Sequence, residues 1–159
     1  MQNTTPSGSG TLVQRLFAPG ASNACVDLGL LVLRLWLGST MLFNHGWAKF
    51  ANFGTMKEKF PALFGLPPEV GLGLAVFAEV FCSALLVAGL VTRFAALNLA
   101  ATMATAYFVA HGMALSGEKS GELPFIYLAG FVTLLLAGPG KLSADACLFA
   151  KRAGGNPAS

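Results

Sequence analysis

The sequence predicts an all-α integral membrane protein, a four-transmembrane-helix up-and-down bundle, and three observations carry that prediction. Apolar residues make up 55% of the 159 and charged residues only 11%, against roughly 25% charged in soluble domains. Four apolar stretches of membrane length follow one another with short connectors. Within the first of them the polar and ionisable residues keep to one side. At about 3.6 residues per turn, Asp27, Arg34, Gly38, Met41, His45 and Lys49 share a narrow arc of the helix surface. An ionisable group in hydrocarbon costs roughly 3 kcal/mol or more, so this stripe is expected to face a protein interior.

Residues 1–25 read as a polar N-terminal tail, with a short apolar patch at Leu12, Leu16 and Phe17 beside Arg15 that suits a membrane surface. No basic segment leads directly into an apolar core there, so the first span is expected to be retained rather than cleaved. The four-helix membrane domain is expected over residues 26–146. Its first span covers about residues 26–43 and closes in His45, Gly46, Trp47 and Lys49, which suit an interface. The connector 51–68 carries Lys57, Glu58 and Lys59, has room for a short interfacial helix, and ends in Pro67 and Pro68, which start the next element.

The second span, residues 70–90, is interrupted only by Glu79, and its Gly71, Gly73, Ala75 and Ala78 invite close helix approach. The turn at Gly89 and Thr92 is short, which makes the second and third spans antiparallel neighbours. In the third span, 94–110, Asn98, Thr102 and Thr105 form a polar seam suited to interhelical hydrogen bonds. The fourth, 122–137, stops at Gly138, Pro139 and Gly140, and residues 147–159 read as a C-terminal tail.

The formal charge of +3 is small and dispersed, which gives no footprint for nucleic acid. Cys25, Cys82 and Cys147 form no C-x-x-C pair, so neither a dithiol enzyme nor a cysteine-based metal site is expected. Cys82, inside an apolar run, reads as a small buried hydrophobe. With four spans both termini lie on one side. Arg15, Arg93, Lys141, Lys151 and Arg152 fall there, against Lys49, Lys57, Lys59 and Lys119 opposite, so the termini are expected in the cytoplasm.

Helix rise brings the ionisable residues to common depths. His45 lies about 27 Å from Asp27, and His111 about 27 Å from Arg93 on a span of the same direction; both reach one membrane face, where Glu122 opens the fourth span. Arg34 and Glu79 lie about 10 Å and 16 Å from the other face, close enough for an ion pair. The candidate ligand-binding residues are therefore Arg34, His45, Lys49, Glu79, Arg93, His111 and Glu122. Such a pair can be purely structural, offsetting two buried charges, and the histidines can be interfacial caps. The functional reading is a polar cavity holding a quinone head group, since imidazole and carboxylate supply the donor, acceptor and proton its carbonyls need. Haem held by two imidazoles fits less well, because His111 falls off the seam of Asn98, Thr102 and Thr105 and is turned toward a partner or the loop.

The spacing Arg34-x3-Gly38, then His45-Gly46 and Lys49, resembles the first-span signature of the DoxX family of small four-span membrane proteins. Glu79, the turn Gly89, Thr92, Arg93 with Ala95-Ala96, Met103 ahead of His111, Glu122, and Gly138-Pro139-Gly140-x2-Ser143-x-Asp145 resemble its later motifs. The resemblance covers about residues 28–145. It implies a membrane subunit tied to redox complexes, since members are associated with quinol oxidase, with thiosulfate:quinone oxidoreductase and with oxidative-stress or thiol-linked assemblies. This chain shows no second soluble domain and no dithiol pair, so a complete thiosulfate-oxidising enzyme is not expected. The expected partners are the lipid bilayer of a bacterial plasma membrane, a quinone, and redox subunits or further copies of the chain. The rival from another class is a non-catalytic scaffold or small-solute transporter, in which the same charges lock helices or line a pathway.

Overall fold

The computed structural model describes residues 23–62 and 64–153. Nearly all of the tail expected at 1–25, including the patch at Leu12, Leu16 and Phe17, lies outside the described residues. Among these residues all regular structure is helical, and it is built around four long rods. The first rod runs through Asn23–Thr40, a π turn at Met41–Gly46, and Trp47–Ala51. The second comprises Pro68–Val76, a π turn at Phe77–Cys82, and Ser83–Ala88. The third is Thr92–Thr105 and ends in a π turn at Ala106–Ala110, while the fourth is a plain α-helix, Glu122–Ala137.

The breakers act where expected. Pro68 takes the first helical position of the second rod, where a missing N–H costs nothing. Gly89 closes that rod at φ 71°, in the left-handed region that favours glycine. A short helix, Phe53–Met56, occupies the first connector. The C-terminal segment departs from expectation: part of the presumed tail belongs to a closing helix, Ala144–Ala153. Ser143 starts it by accepting the Ala146 N–H at its hydroxyl, 3.1 Å away, a side-chain cap that satisfies one of the orphan donors of the first turn.

The core lies between the rods and is made of small and flexible apolar groups. Ala95, Ala96 and Leu99 of the third rod are fully buried against Phe131 and Leu134 of the fourth, and Met41, Cys82 and Leu86 fill the side of the first two. The burial of Cys82 agrees with its reading as a small hydrophobe. The outward faces are also apolar. Trp36 is 71% exposed and Leu136 73%, with Phe43, Phe81, Leu97 and Ile126 exposed on the same belt. Water penalises a surface of this kind and hydrocarbon does not. By length and mean hydropathy two rods can cross a bilayer, Ala24–Ala51 with 28 residues and Pro68–Ala88 with 21. The fourth, apolar but of 16 residues, is about 24 Å long.

The loop after the fourth rod acts as a clasp on one end of the bundle. Asp27 Oδ1 accepts the Lys141 N–H at 2.8 Å, and Arg34 donates from Nη2 to the Leu142 carbonyl at 2.7 Å. Asp145 accepts the backbone N–H groups of Val91 and Thr92 at 2.8 and 2.9 Å, and its own N–H donates to the Gly89 carbonyl. Burial alone raises the pKa of the Asp145 carboxyl, but the Thr92 and Val91 amides and the nearby Arg34 charge outweigh it and hold the group below its ordinary 3.8. A carboxylate with a depressed folded-state pKa stabilises the fold above its unfolded value and loses that contribution as pH falls through the folded one. In detergent, melting temperature is therefore expected to fall on acidification below about pH 4, with a shallower fall in Asp145→Asn. Parallel melting curves between pH 3 and 7 would show that Asp145 contributes no such linkage.

Candidate functional site

The two long rods of the first helical pair cross where their π turns meet. Gly46 lies so close to the second rod that a Cβ there would sit 2.6 Å from the Glu79 carbonyl oxygen. Only glycine lets the backbones approach this closely. In the first and third rods a threonine immediately precedes the wider turn and bonds back to the carbonyl four residues earlier, Thr40 to Trp36 and Thr105 to Ala101. Such back-bonding loosens and bends a helix. Thr133 makes the same bond to Ala129 within an unbroken α-helix, so the hydroxyl alone does not create the turn.

The crossing places Lys49 Nζ 2.5 Å from Glu79 Oε2. It is the ion pair of the described residues, and Glu79 is 3% exposed. Charge assistance makes this a strong hydrogen bond, and in a low dielectric each member depends on the other for compensation. The expected pairing of Arg34 with Glu79 is thus overturned. Both side chains are buried, but Arg34 turns toward the clasp and the Leu142 carbonyl, while Lys49, read as an interface anchor, reaches inward to Glu79.

A cleft of about 490 Å³ opens beside this pair, within the size range of small-molecule sites. Lys49 and Glu79 lie on one side of it, with Leu74, Ala75 and Ala78 of the second rod. Asn98, Thr102 and Thr105 of the third rod form the facing wall, His111 stands at the end, and Phe60, Pro61, Phe64 and Leu66 of the connector cover it. The seam of Asn98, Thr102 and Thr105 faces the cleft instead of bonding to a neighbouring rod. Asn98 donates to Phe94 O, Thr102 to Asn98 O and Thr105 to Ala101 O, so each side chain makes one donor bond within its own helix.

His111 joins the same cleft because of the third π turn. The His111 N–H donates to Ala106 O, one residue further back than in an α-helix. The extra residue turns the following chain back by about 100°, bringing Ala110 and His111 round toward the seam. His111 Nδ1 also lies 3.1 Å from Lys119 O, so the expected turn toward the loop holds as well.

The remaining expected residues lie elsewhere. His45 is half-buried with its ring edge-on to Tyr127, centroids 5.7 Å apart, and does not line the cleft. It shares no mouth with His111. Arg93 is exposed at the other end of the third rod and reaches the Leu136 carbonyl at 3.5 Å. Glu122 is exposed at the start of the fourth rod, where its N–H donates to Ser120 Oγ. The structure therefore gathers Lys49, Glu79 and His111, and leaves Arg34, His45, Arg93 and Glu122 outside that cleft. Sequence reasoning missed the covering residues Phe60 and Phe64. Phe60 immediately before Pro61, and Phe64 between Pro61 and Pro67, were the available signal, since prolines hold such a segment out of helix.

Residues 29–112 match the DoxX family model, which spans the ion pair, the cleft walls and all three π turns. The chain belongs to the DoxX family. The DoxX protein is also similar to two proteins of Haemophilus influenzae described as uncharacterized. One is 32% identical over 74% of this chain and 82% of the relative, and the other 33% identical over 70% and 84%. No solved structure matches it. Its membrane character follows from the family together with the exposed apolar belt on its helices.

Proposed function

We propose that this DoxX protein is a four-span, up-and-down membrane subunit of a quinone- or quinol-linked redox assembly, and that the Lys49–Glu79 cleft holds the quinone head group. The observation that carries the reading is the ion pair itself, a donor and an acceptor set side by side in a mainly apolar cleft. A quinone carbonyl accepts from Lys49 and a quinol hydroxyl donates to Glu79, so the pair can hold either redox form and exchange a proton with it. His111 at the end of the cleft supplies a further hydrogen-bonding group.

Binding of a fluorescent or radiolabelled quinone analogue to the purified full chain tests this. Lys49→Met and Glu79→Gln are each expected to weaken binding about 10- to 100-fold, the worth of a hydrogen bond to a charged group. His45→Ala is expected to leave it unchanged. Equal affinity across the series, or none in the wild type, would favour a scaffold in which the pair only locks two helices.

The proposed site is the plasma membrane of a bacterium, with both termini in the cytoplasm. Cysteine labelling from either side of the membrane is expected to place Lys57 and Glu118 together on the face opposite the termini. Labelling of those two loops from different sides would end the four-span model.

A further inference from the structure

The cleft has two possible entrances, and the structure treats them differently. The connector, whose Lys57, Glu58 and Lys59 are exposed charges suited to water, folds Phe60, Pro61, Phe64 and Leu66 over one end. Phe60 is seated firmly. Its ring edge lies 3.2 Å from where a Cβ on Gly71 would stand, so the segment packs directly on the second rod. Toward the side, between the second and third rods, none of the described residues forms such a cover. Leu74 is 57% exposed and Phe77 41%, and Ala101 opposite them is exposed too, yet all three also line the cleft. The cleft therefore opens onto the same apolar belt that faces hydrocarbon.

The chemistry of the walls narrows the occupant. Lys49 and Glu79 neutralise each other, so the floor offers hydrogen bonds without net charge. A charged head would lose its hydration with no unpaired counter-charge to receive it. The polar side chains of the third-rod wall already donate to their own helix. What remains is a mainly apolar channel with the Lys49–Glu79 pair on one side and His111 at its end.

Building on the reading of the cleft as a ligand site, we infer that its ligand enters sideways from the bilayer through the gap between Leu74 and Ala101. The ligand is a neutral-headed, long-tailed amphiphile, with its head at Lys49 and Glu79 and its tail in the gap, and Phe60, packed on the second rod, narrows the entry from water. Head selection and entry route are thus separate properties of different residues.

Photolabelling of the full chain in phosphatidylcholine vesicles tests the route. The probes are a hexadecyl-chain alcohol and a short water-soluble alcohol, each bearing a diazirine, with attachment mapped on the tryptic peptide 94–119. The long alcohol is expected to label Thr102, Thr105 and Ala106 in a manner competed by unlabelled alcohol, and the short one is not. Ala101→Trp should reduce that labelling several-fold, while Leu97→Trp, one turn away on the exposed face and outside the cleft, should not. Leu74→Trp on the opposite lip replaces Ala101→Trp if melting shows the latter unfolded. Labelling by the short alcohol equal to that by the long one, or undiminished labelling with the gap blocked, overturns the inference. Competed labelling without quinone binding would sink the redox reading and leave the lateral route standing. Quinone binding without it would do the reverse.

Discussion

Glu79→Ala is expected to destabilise the protein by about 3 kcal/mol, the low end of the range for breaking a buried ion pair. The low end applies because the Lys49 side chain is 21% exposed and can lean its ammonium outward, whereas the Glu79 side chain, at 5%, cannot. Lys49→Met, which leaves the less exposed partner alone, is expected to cost at least as much. The double replacement Lys49→Met with Glu79→Leu removes both charges and should recover most of the loss, because nothing uncompensated is left behind. Arg34→Met combined with Glu79→Leu should show no such recovery, since those residues have different partners. Denaturation of the four variants and the wild type in one detergent decides the matter. Additive losses for Lys49 and Glu79 would show that their contact contributes nothing to the fold.

The second large effect is expected at Gly46. A methyl group added there meets the Glu79 carbonyl oxygen at 2.6 Å, its carbon at 2.7 Å and Val80 Cγ2 at 2.9 Å. Two of these atoms are backbone and cannot swing aside, so the rods must part. Overpacking of this kind costs about 1–3 kcal/mol. Parting the rods also moves Glu79 away from Lys49, so Gly46→Ala is expected to lose cleft binding along with stability. Gly73→Ala is the control. No atom lies within 4 Å of its added methyl, and alanine is the better helix former. A melting temperature for Gly46→Ala equal to that of the wild type would mean the crossing tolerates a wider separation.

The helices were legible because their signals are local. Pro68, Gly89 and Gly138 act on their own neighbours, and runs of apolar residues report burial or lipid contact wherever they fall. The inward stripe of the first rod was legible too: Arg34, Gly38 and Met41 are buried. Pairing across rods was not. Depth arithmetic assumes a uniform rise and a constant turn, and π turns in three of the four rods break both assumptions. Lys49 was placed at the interface by its position near a helix end. Its real partner depends on how closely Gly46 lets the second rod come, a relation between segments that no single window of sequence contains. That His111 reaches the cleft as well as the loop was hidden for the same reason, since its phase depends on one hydrogen bond to Ala106.

The clasp ties the beginning of the bundle to its end. Arg34 finds the Leu142 carbonyl 108 positions later in the chain, an interval that takes a ribosome about 5–20 s to translate. Until then a guanidinium destined for complete burial has no such acceptor, and the first two rods must wait in the bilayer with it unsettled. A chain broken off before residue 142 never acquires that acceptor, nor the Asp145 carboxylate that seals the turn at Val91 and Thr92. Completeness of synthesis is thus written into the fold as a chemical condition.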